Sequence, residues 1–102
     1  MVSSNPADLS KVKINDTVTF TGSGTTTTDG DKIDKINFIV SNDGTALPDN
    51  IVDTTPDTVN STATLKVWKA TFAYKVTSLG SYSIRIKAHW LKADGSDGGW
   101  QE

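Results

Sequence analysis

The sequence predicts an all-β protein, an antiparallel β-sandwich of about seven short strands. Apolar residues recur at every second position in several segments, which is the period of a strand with one buried face. Turns rich in glycine, asparagine and aspartate separate these segments, and no segment has the apolar spacing of an amphipathic helix. The clearest alternating series runs through Tyr82, Ile84, Ile86, Ala88 and Trp90.

Each strand contributes to one predicted core between the two sheets. Ile33 lies one step out of phase with the strand that it enters, and a second phase change at Val67-Trp68 predicts a bulge or a crossing between sheets. Residues 78–80 are predicted to be a short turn between two strands, and residues 45–61 a long excursion that switches sheets. The predicted core consists of Val18, Phe20, Ile36, Phe38, Val40, Phe72, Ile84 and Ile86.

Length and composition restrict the class of protein. Residues 1–102 form a single domain of common size, with a net charge of −2 and no cysteine. A chain with this charge lacks the basic footprint of a nucleic-acid-binding protein, and without cysteine it has neither disulfides nor thiolate metal sites. No apolar run approaches the ~20 residues that insert into a membrane, and residues 1–6 do not have the pattern of a signal peptide.

Three segments carry a resemblance to a known family. They are TVTFTGSGTTTTDGDKI (residues 17–33), DKINFIVSNDG (residues 34–44) and ATFAYKVTSLGSYSIRIKA (residues 70–88). In this order they resemble a polycystic-kidney-disease-type (PKD) domain, and they are similar to bacterial and phage immunoglobulin-like domains in general. The resemblance implies an immunoglobulin-like sandwich, in which Tyr82 takes the place of the tyrosine corner. Phe38 stands where the family usually has tryptophan.

The Asp-Gly turn supplies the candidate cofactor site, one for calcium, and Asp94 and Asp97 form a second acidic turn. Asp29 and Asp31 offer hard oxygen ligands around a flexible glycine, as calcium requires. By the resemblance they are the candidate calcium ligands, with Asn5 as a third. The alternative is that Asp-Gly is turn chemistry and that no cofactor binds.

The tryptophans supply a candidate glycan-binding surface. Trp100 and Trp68, if exposed on one face, would stack on sugar rings. The alternative is burial, because large aromatic side chains supply much of the burial that a small sandwich needs. We expect two of the three tryptophans to be buried and Trp100, near the chain end, to be free.

The inventory of reactive side chains argues against an enzyme. His89 is the only histidine and points away from Ile86 and Ala88, so we expect a solvated strand histidine. Neither a nucleophile elbow nor a glycine-framed serine is present in the sequence. Residues 100–102 are all that remains for a last strand, which would leave a sheet edge partly unpaired.

We therefore expect a non-catalytic immunoglobulin-like module of a cell-surface, secreted or virion protein, one that spaces, displays or adheres. Its partners would be neighbouring domains of a larger chain and a surface glycan or protein, without nucleic acid and without membrane insertion. Two alternatives stay open. One is a carbohydrate-binding module attached to a polysaccharide-active enzyme or phage fibre, and the other is a phage capsid or tail decoration domain.

Overall fold

The computed structural model describes residues 1–102, the side chain of Lys11 excepted. A 3₁₀ turn lies at Leu9–Lys11, and among the described residues no helix is long and apolar enough to cross a membrane. The strands are β1 Val2–Asn5, β2 Thr17–Thr26, β3 Lys32–Asn42, β4 Thr45–Ala46, β5 Asn50–Asp53, β6 Thr55–Pro56, β7 Lys66–Lys75, β8 Tyr82–Leu91 and β9 Asp97–Gln101.

The strands form two antiparallel sheets that pack face to face, so the predicted all-β sandwich is confirmed. Sheet I has the order β1-β2-β7-β6. Sheet II has the order β4-β3-β8-β9, and β5 also pairs with β3. The long ladders are β2 with β7 in sheet I and β3 with β8 in sheet II. The chain changes sheets after β2, after β5 and after β7, so the predicted change of sheet within residues 45–61 is confirmed.

The strands on either side of residues 78–80 are present, but they belong to different sheets. β7 pairs along its length with β2, and β8 pairs along its length with β3, so residues 76–81 cross from one sheet to the other. Tyr82 lies at the start of β8, and its hydroxyl donates a hydrogen bond to the carbonyl of Ser78. Buried Val76 fixes the other side of this corner through backbone bonds with Asn15 and Asp16.

The predicted bulge or crossing at Val67-Trp68 is wrong. β7 keeps one register with β2 from Lys66 to Lys75 without interruption. The residues before it are outside the strand, in a turn where the Thr62 N–H bonds to the Leu65 carbonyl. Ala63 and Leu65, which alternate with Val67 in the sequence, lie before β7, so the change of phase reflects the start of the strand and not a bulge within it.

A real bulge lies instead at the start of β3. The register between β3 and β8 shifts between Ile33 and Lys35, which leaves Asp34 as the extra residue. Ile33 consequently turns inward and is buried, although it is out of phase with the rest of β3. The bulge explains why Ile33 is one position out of step with the other inward-facing residues of β3.

The core lies between the sheets, and Phe38 is at its centre. Gly22 and Ala70 are paired across β2 and β7, and an added Cβ on Gly22 would lie 3.2 Å from the Phe38 ring. These two small residues make room for the ring. Of the predicted core, Val18, Phe20, Ile36, Phe38 and Val40 are buried, while Phe72, Ile84 and Ile86 are half-buried and pack against it; Ile33, Ala70 and Val76 complete the cluster.

The last strand is longer than the sequence predicts. β9 begins at Asp97, three residues before Trp100, and it pairs with β8 between Ala88 and Leu91. Because β9 follows β8 after only a short turn, it covers the second half of β8. Within the described residues, no β9 residue pairs with the half of β8 that precedes Ala88.

Candidate functional site

The most concentrated group of polar side chains lies on the outer face of sheet II, where β3, β8 and β9 run side by side. His89 Nδ1 is 2.6 Å from Asp34 Oδ1, and His89 Nε2 is 2.8 Å from Asp97 Oδ1. The Trp100 ring packs against the imidazole at a centroid distance of 5.0 Å and an interplanar angle of 50°. We refer to Asp34, His89 and Asp97 as the His89 clamp.

Local backbone features bring the two carboxylates to the histidine. The β3 bulge places Asp34 beside His89, although Lys35 is the residue in register with His89. Asp97 is the first residue of β9, and its Oδ1 also accepts a hydrogen bond from the Gly99 N–H at 2.6 Å. Gly99 has φ of +86°, a conformation that glycine adopts without strain. Because Gly99 adopts this conformation, its N–H can bond to the Asp97 carboxylate while the same carboxylate contacts His89.

The arrangement requires a protonated imidazole. A neutral imidazole carries one N–H, whereas both ring nitrogens of His89 face carboxylate oxygens. The pKa of His89 is accordingly raised above its ordinary value, chiefly by the hydrogen bond with Asp34 and further by Asp97, and burial opposes this increase. The pKa of Asp97 is lowered by the Gly99 N–H and by His89. When protonated, His89 thus forms a charged pair with each neighbour.

His89 differs from the solvated histidine that the sequence predicts. Its side chain is only 15% exposed, because Asp34, Asp97 and the Trp100 ring enclose it. Both ring nitrogens are engaged, so the imidazole has no free lone pair to act as a general base or to bind a metal. The clamp as it stands is suited to holding β3, β8 and β9 together.

The candidate calcium ligands are not brought together. Asp31 is buried, and its carboxylate accepts the Trp90 indole N–H and the Ala93 N–H, each at 2.9 Å. Asp29 is exposed in the turn. Asn5 pairs with Thr19, near the opposite end of β2, about 23 Å from the Thr26 end at ~3.3 Å per residue. Within the described chain, no three His, Asp or Glu side chains are grouped to hold a metal ion.

The candidate glycan-binding tryptophans also lie apart. Trp68 faces the space between the sheets, packs against the core and donates its indole N–H to Thr26 Oγ1 at 3.1 Å. Trp90 also packs against the core, under the Lys92 ammonium at 5.1 Å. Trp100 is 42% exposed on the outer face of sheet II. Two of the three tryptophans are therefore packed inward, and Trp68 and Trp100 do not form one platform.

A cleft of about 460 Å³ opens between the sheets beside β2 and β9. Ile33, Ile86, Ala88 and Trp90 contribute its apolar surface, and residues 25–28 form a polar wall. Its two carboxylates are already engaged. The Asp31 carboxylate accepts the Trp90 and Ala93 N–H groups, and Glu102 Oε1 lies 3.2 Å from the Arg85 guanidinium. The cleft therefore presents surface for packing rather than a free acid or base.

Sequence reasoning missed the clamp because Asp34 is far from His89 in the chain and because β9 begins earlier than the sequence predicts. Asp34 and His89 are separated by 55 residues, and their contact depends on the β3–β8 register. One signal was present: the phase of Ile33 indicates a bulge, and a bulge redirects the neighbouring side chain. Asp34 was therefore identifiable as displaced, although its partner was not.

Compared with protein-family models, curated proteins and solved structures, the chain has no match.

Proposed function

We propose that this chain is a non-catalytic immunoglobulin-like module of a cell-surface, secreted or virion protein, in which it spaces, displays or adheres. The observation that carries the proposal is the strand order together with the corner at Tyr82. Immunoglobulin-like domains place strands A, B, E and D in one sheet and C, F and G in the other. The orders β1-β2-β7-β6 and β4-β3-β8-β9 correspond to these, with β4 in the additional C′ position.

The tyrosine corner supports the same assignment. In immunoglobulin-like domains a tyrosine near the start of strand F bonds through its hydroxyl to backbone a few residues upstream. Tyr82 begins β8, which corresponds to strand F, and donates to the Ser78 carbonyl. The contact lies where the chain crosses between sheets, which is where such a corner stabilises the fold. Within the immunoglobulin-like group, the PKD type is our preferred assignment because its segments coincide with β2, β3 and β7–β8.

The state of the polar groups supports a non-catalytic role. His89 is held between two carboxylates, and each carboxylate oxygen of Asp31 accepts an N–H. Catalytic acids and bases need a free lone pair or proton within reach of a substrate. In the described residues the contacts of His89 and Asp31 hold β8 against its neighbouring segments instead.

The proposed location at a cell or particle surface is tested by asking whether an antibody reaches the natural protein without lysis. An antibody against the purified domain is expected to label intact cells or virus particles of the source. Antibody against a cytoplasmic protein serves as the control for lysis. Labelling that requires lysis would contradict a surface, secreted or virion module, whereas labelling confined to particles would favour the decoration domain.

One observation favours glycan binding as a second candidate. Trp100 is 42% exposed on the flat outer face of sheet II, and the Arg85–Glu102 pair lies on the same face. The purified domain would be mixed with insoluble polysaccharides and bacterial cell walls, with and without calcium. Retention that Trp100→Ala abolishes and Ile51→Ala leaves intact would establish the glycan-binding candidate. Without retention the glycan-binding candidate fails, and a spacer or display role is favoured.

A further inference from the structure

We propose that the His89 clamp is a pH-sensitive latch, which holds strand β9 on sheet II while His89 is protonated and loosens β9 when the proton leaves. This inference does not depend on the proposed function, because it concerns the attachment of one strand.

The backbone attaches β9 by a short and interrupted ladder. β9 pairs with β8 only between Ala88 and Leu91, and the register shifts between His89 and Leu91. Gly98 and Gly99 occupy the middle of the strand, where glycine has a high entropic cost of ordering. Side-chain contacts therefore make a large contribution to keeping β9 closed, and the contact between His89 and Asp97 is made at its first residue.

Loss of the proton affects the two carboxylates unequally. A neutral imidazole donates to one carboxylate and presents a lone pair to the other. Asp34 is 26% exposed on the central strand β3, whereas Asp97 is 72% exposed at the edge. The Asp97 carboxylate can exchange its contact for water more readily, so β9 is the side that is released.

The surrounding charges make the imidazolium the favoured form. Asp34 faces it from β3 and Asp97 faces it from β9. Lys35, in register with His89 on β3, is ion-paired at 3.1 Å with Asp53 of β5, so its charge is offset. Lys87 is two residues before His89 on the same face of β8, and the Arg85–Glu102 pair lies further along that face. Deprotonation leaves two carboxylates facing a neutral ring.

The direction of the pH dependence follows from the raised pKa of His89. A histidine whose folded pKa exceeds the unfolded value of about 6.5 stabilises the folded form fully below that value. The contribution is lost as the pH rises through the folded pKa. β9 is therefore expected to be closed in acid and to loosen on the alkaline side of the folded pKa of His89.

The test combines an NMR titration of His89 with amide hydrogen exchange of β9, using the complete chain between about pH 5 and about pH 9. Exchange rates are divided by the intrinsic rate at each pH, and the amides of β2 and β7 report global stability in the same sample. We expect His89 to titrate above its ordinary value. We also expect β9 protection to fall through that pKa, by about tenfold for each pKa unit that Asp97 contributes.

Two variants and a control separate the latch from general electrostatics. Asp97→Asn should lower the pKa of His89 and abolish the pH step in β9 protection while β2 and β7 stay protected. His89→Gln should also abolish the step. Asp53→Asn removes a carboxylate from the same face without contacting His89, so it should leave the step in place. Because the variant frees the Lys35 ammonium beside Asp34, the step should move to a lower pH without being lost.

Three results would overturn the proposal. The first is titration of His89 at or below its ordinary value, and the second is β9 protection without a step at the pKa of His89. The third is loss of the step in Asp53→Asn, which would assign the effect to the general charge of the face.

Discussion

Replacing Phe38 by alanine tests whether the packing between the sheets is the source of stability. Phe38 is 0% exposed, and its ring stacks on Phe72 at a centroid distance of 5.8 Å and an angle of 27°. A buried Phe→Ala substitution costs about 3–5 kcal/mol, and the loss is larger where neighbours cannot fill the cavity. Gly22 has no side chain and Ala70 has only a methyl group fixed to its backbone, so neither can move into the space, and we expect about 4–5 kcal/mol.

The measurement is the free energy of unfolding in urea, followed by tryptophan fluorescence. A domain of this size has about 5–15 kcal/mol in total, so Phe38→Ala leaves a marginal protein. Phe38→Leu, which keeps much of the apolar volume, should lose about 1–2 kcal/mol and stay measurable. The matched surface control is Ile51→Ala, at a residue that is 54% exposed, with an expected change within about 0.5 kcal/mol. A loss below about 1 kcal/mol for Phe38→Ala would refute the assignment of Phe38 to the centre of the core.

Two further substitutions test the polar contacts that organise the fold. Asp31→Asn should cost about 1–3 kcal/mol, because the Trp90 indole and the Ala93 N–H bind different carboxylate oxygens and asparagine replaces one of these oxygens by an NH2 donor. The thermal unfolding temperature should fall equally with and without calcium. A calcium-dependent rise in the unfolding temperature of the wild type that the variant lacks would instead make Asp31 a metal ligand. Tyr82→Phe removes the hydrogen bond to Ser78 and should cost about 0.5–1.5 kcal/mol in urea unfolding. An unchanged free energy of unfolding would mean that the corner does not stabilise the domain.

The fold was predictable because the longer strands place apolar residues on one face and polar residues on the other. Alternation in β2 and in the first half of β8 leaves one face more exposed than the other, so Val18, Phe20, Tyr82 and Ile84 follow from the period alone. From Ile86 onward both faces of β8 are half-buried. The alternation does not predict which strands pair with each other. A short connection between two strands is compatible with a hairpin or with a crossing, and the register with β2 and β3 selects the crossing.

The site was less predictable than the fold because each contact depends on a register or a bulge. The calcium prediction used residues close in sequence, Asp29 and Asp31, whereas the carboxylate of Asp31 faces Trp90, 59 residues away. The expectation of a solvated His89 used strand parity alone. The alternation of side chains along β8 placed the imidazole on the correct face of sheet II. The residues that cover the imidazole depend on the length of β9, which the alternation does not predict.

The wide separation of paired strands along the chain has a consequence for how fast the domain folds. Residues paired between β3 and β8 extend from Asn42 with Tyr82 to Lys32 with Leu91, and β2 pairs with β7 over similar separations. Neither long ladder can begin until a loop of this length has closed, which places folding in the millisecond-to-second range of sandwiches. The excursion between β3 and β7, which carries only short strands, is part of both loops. Shortening it would accelerate closure while leaving the core residues in place.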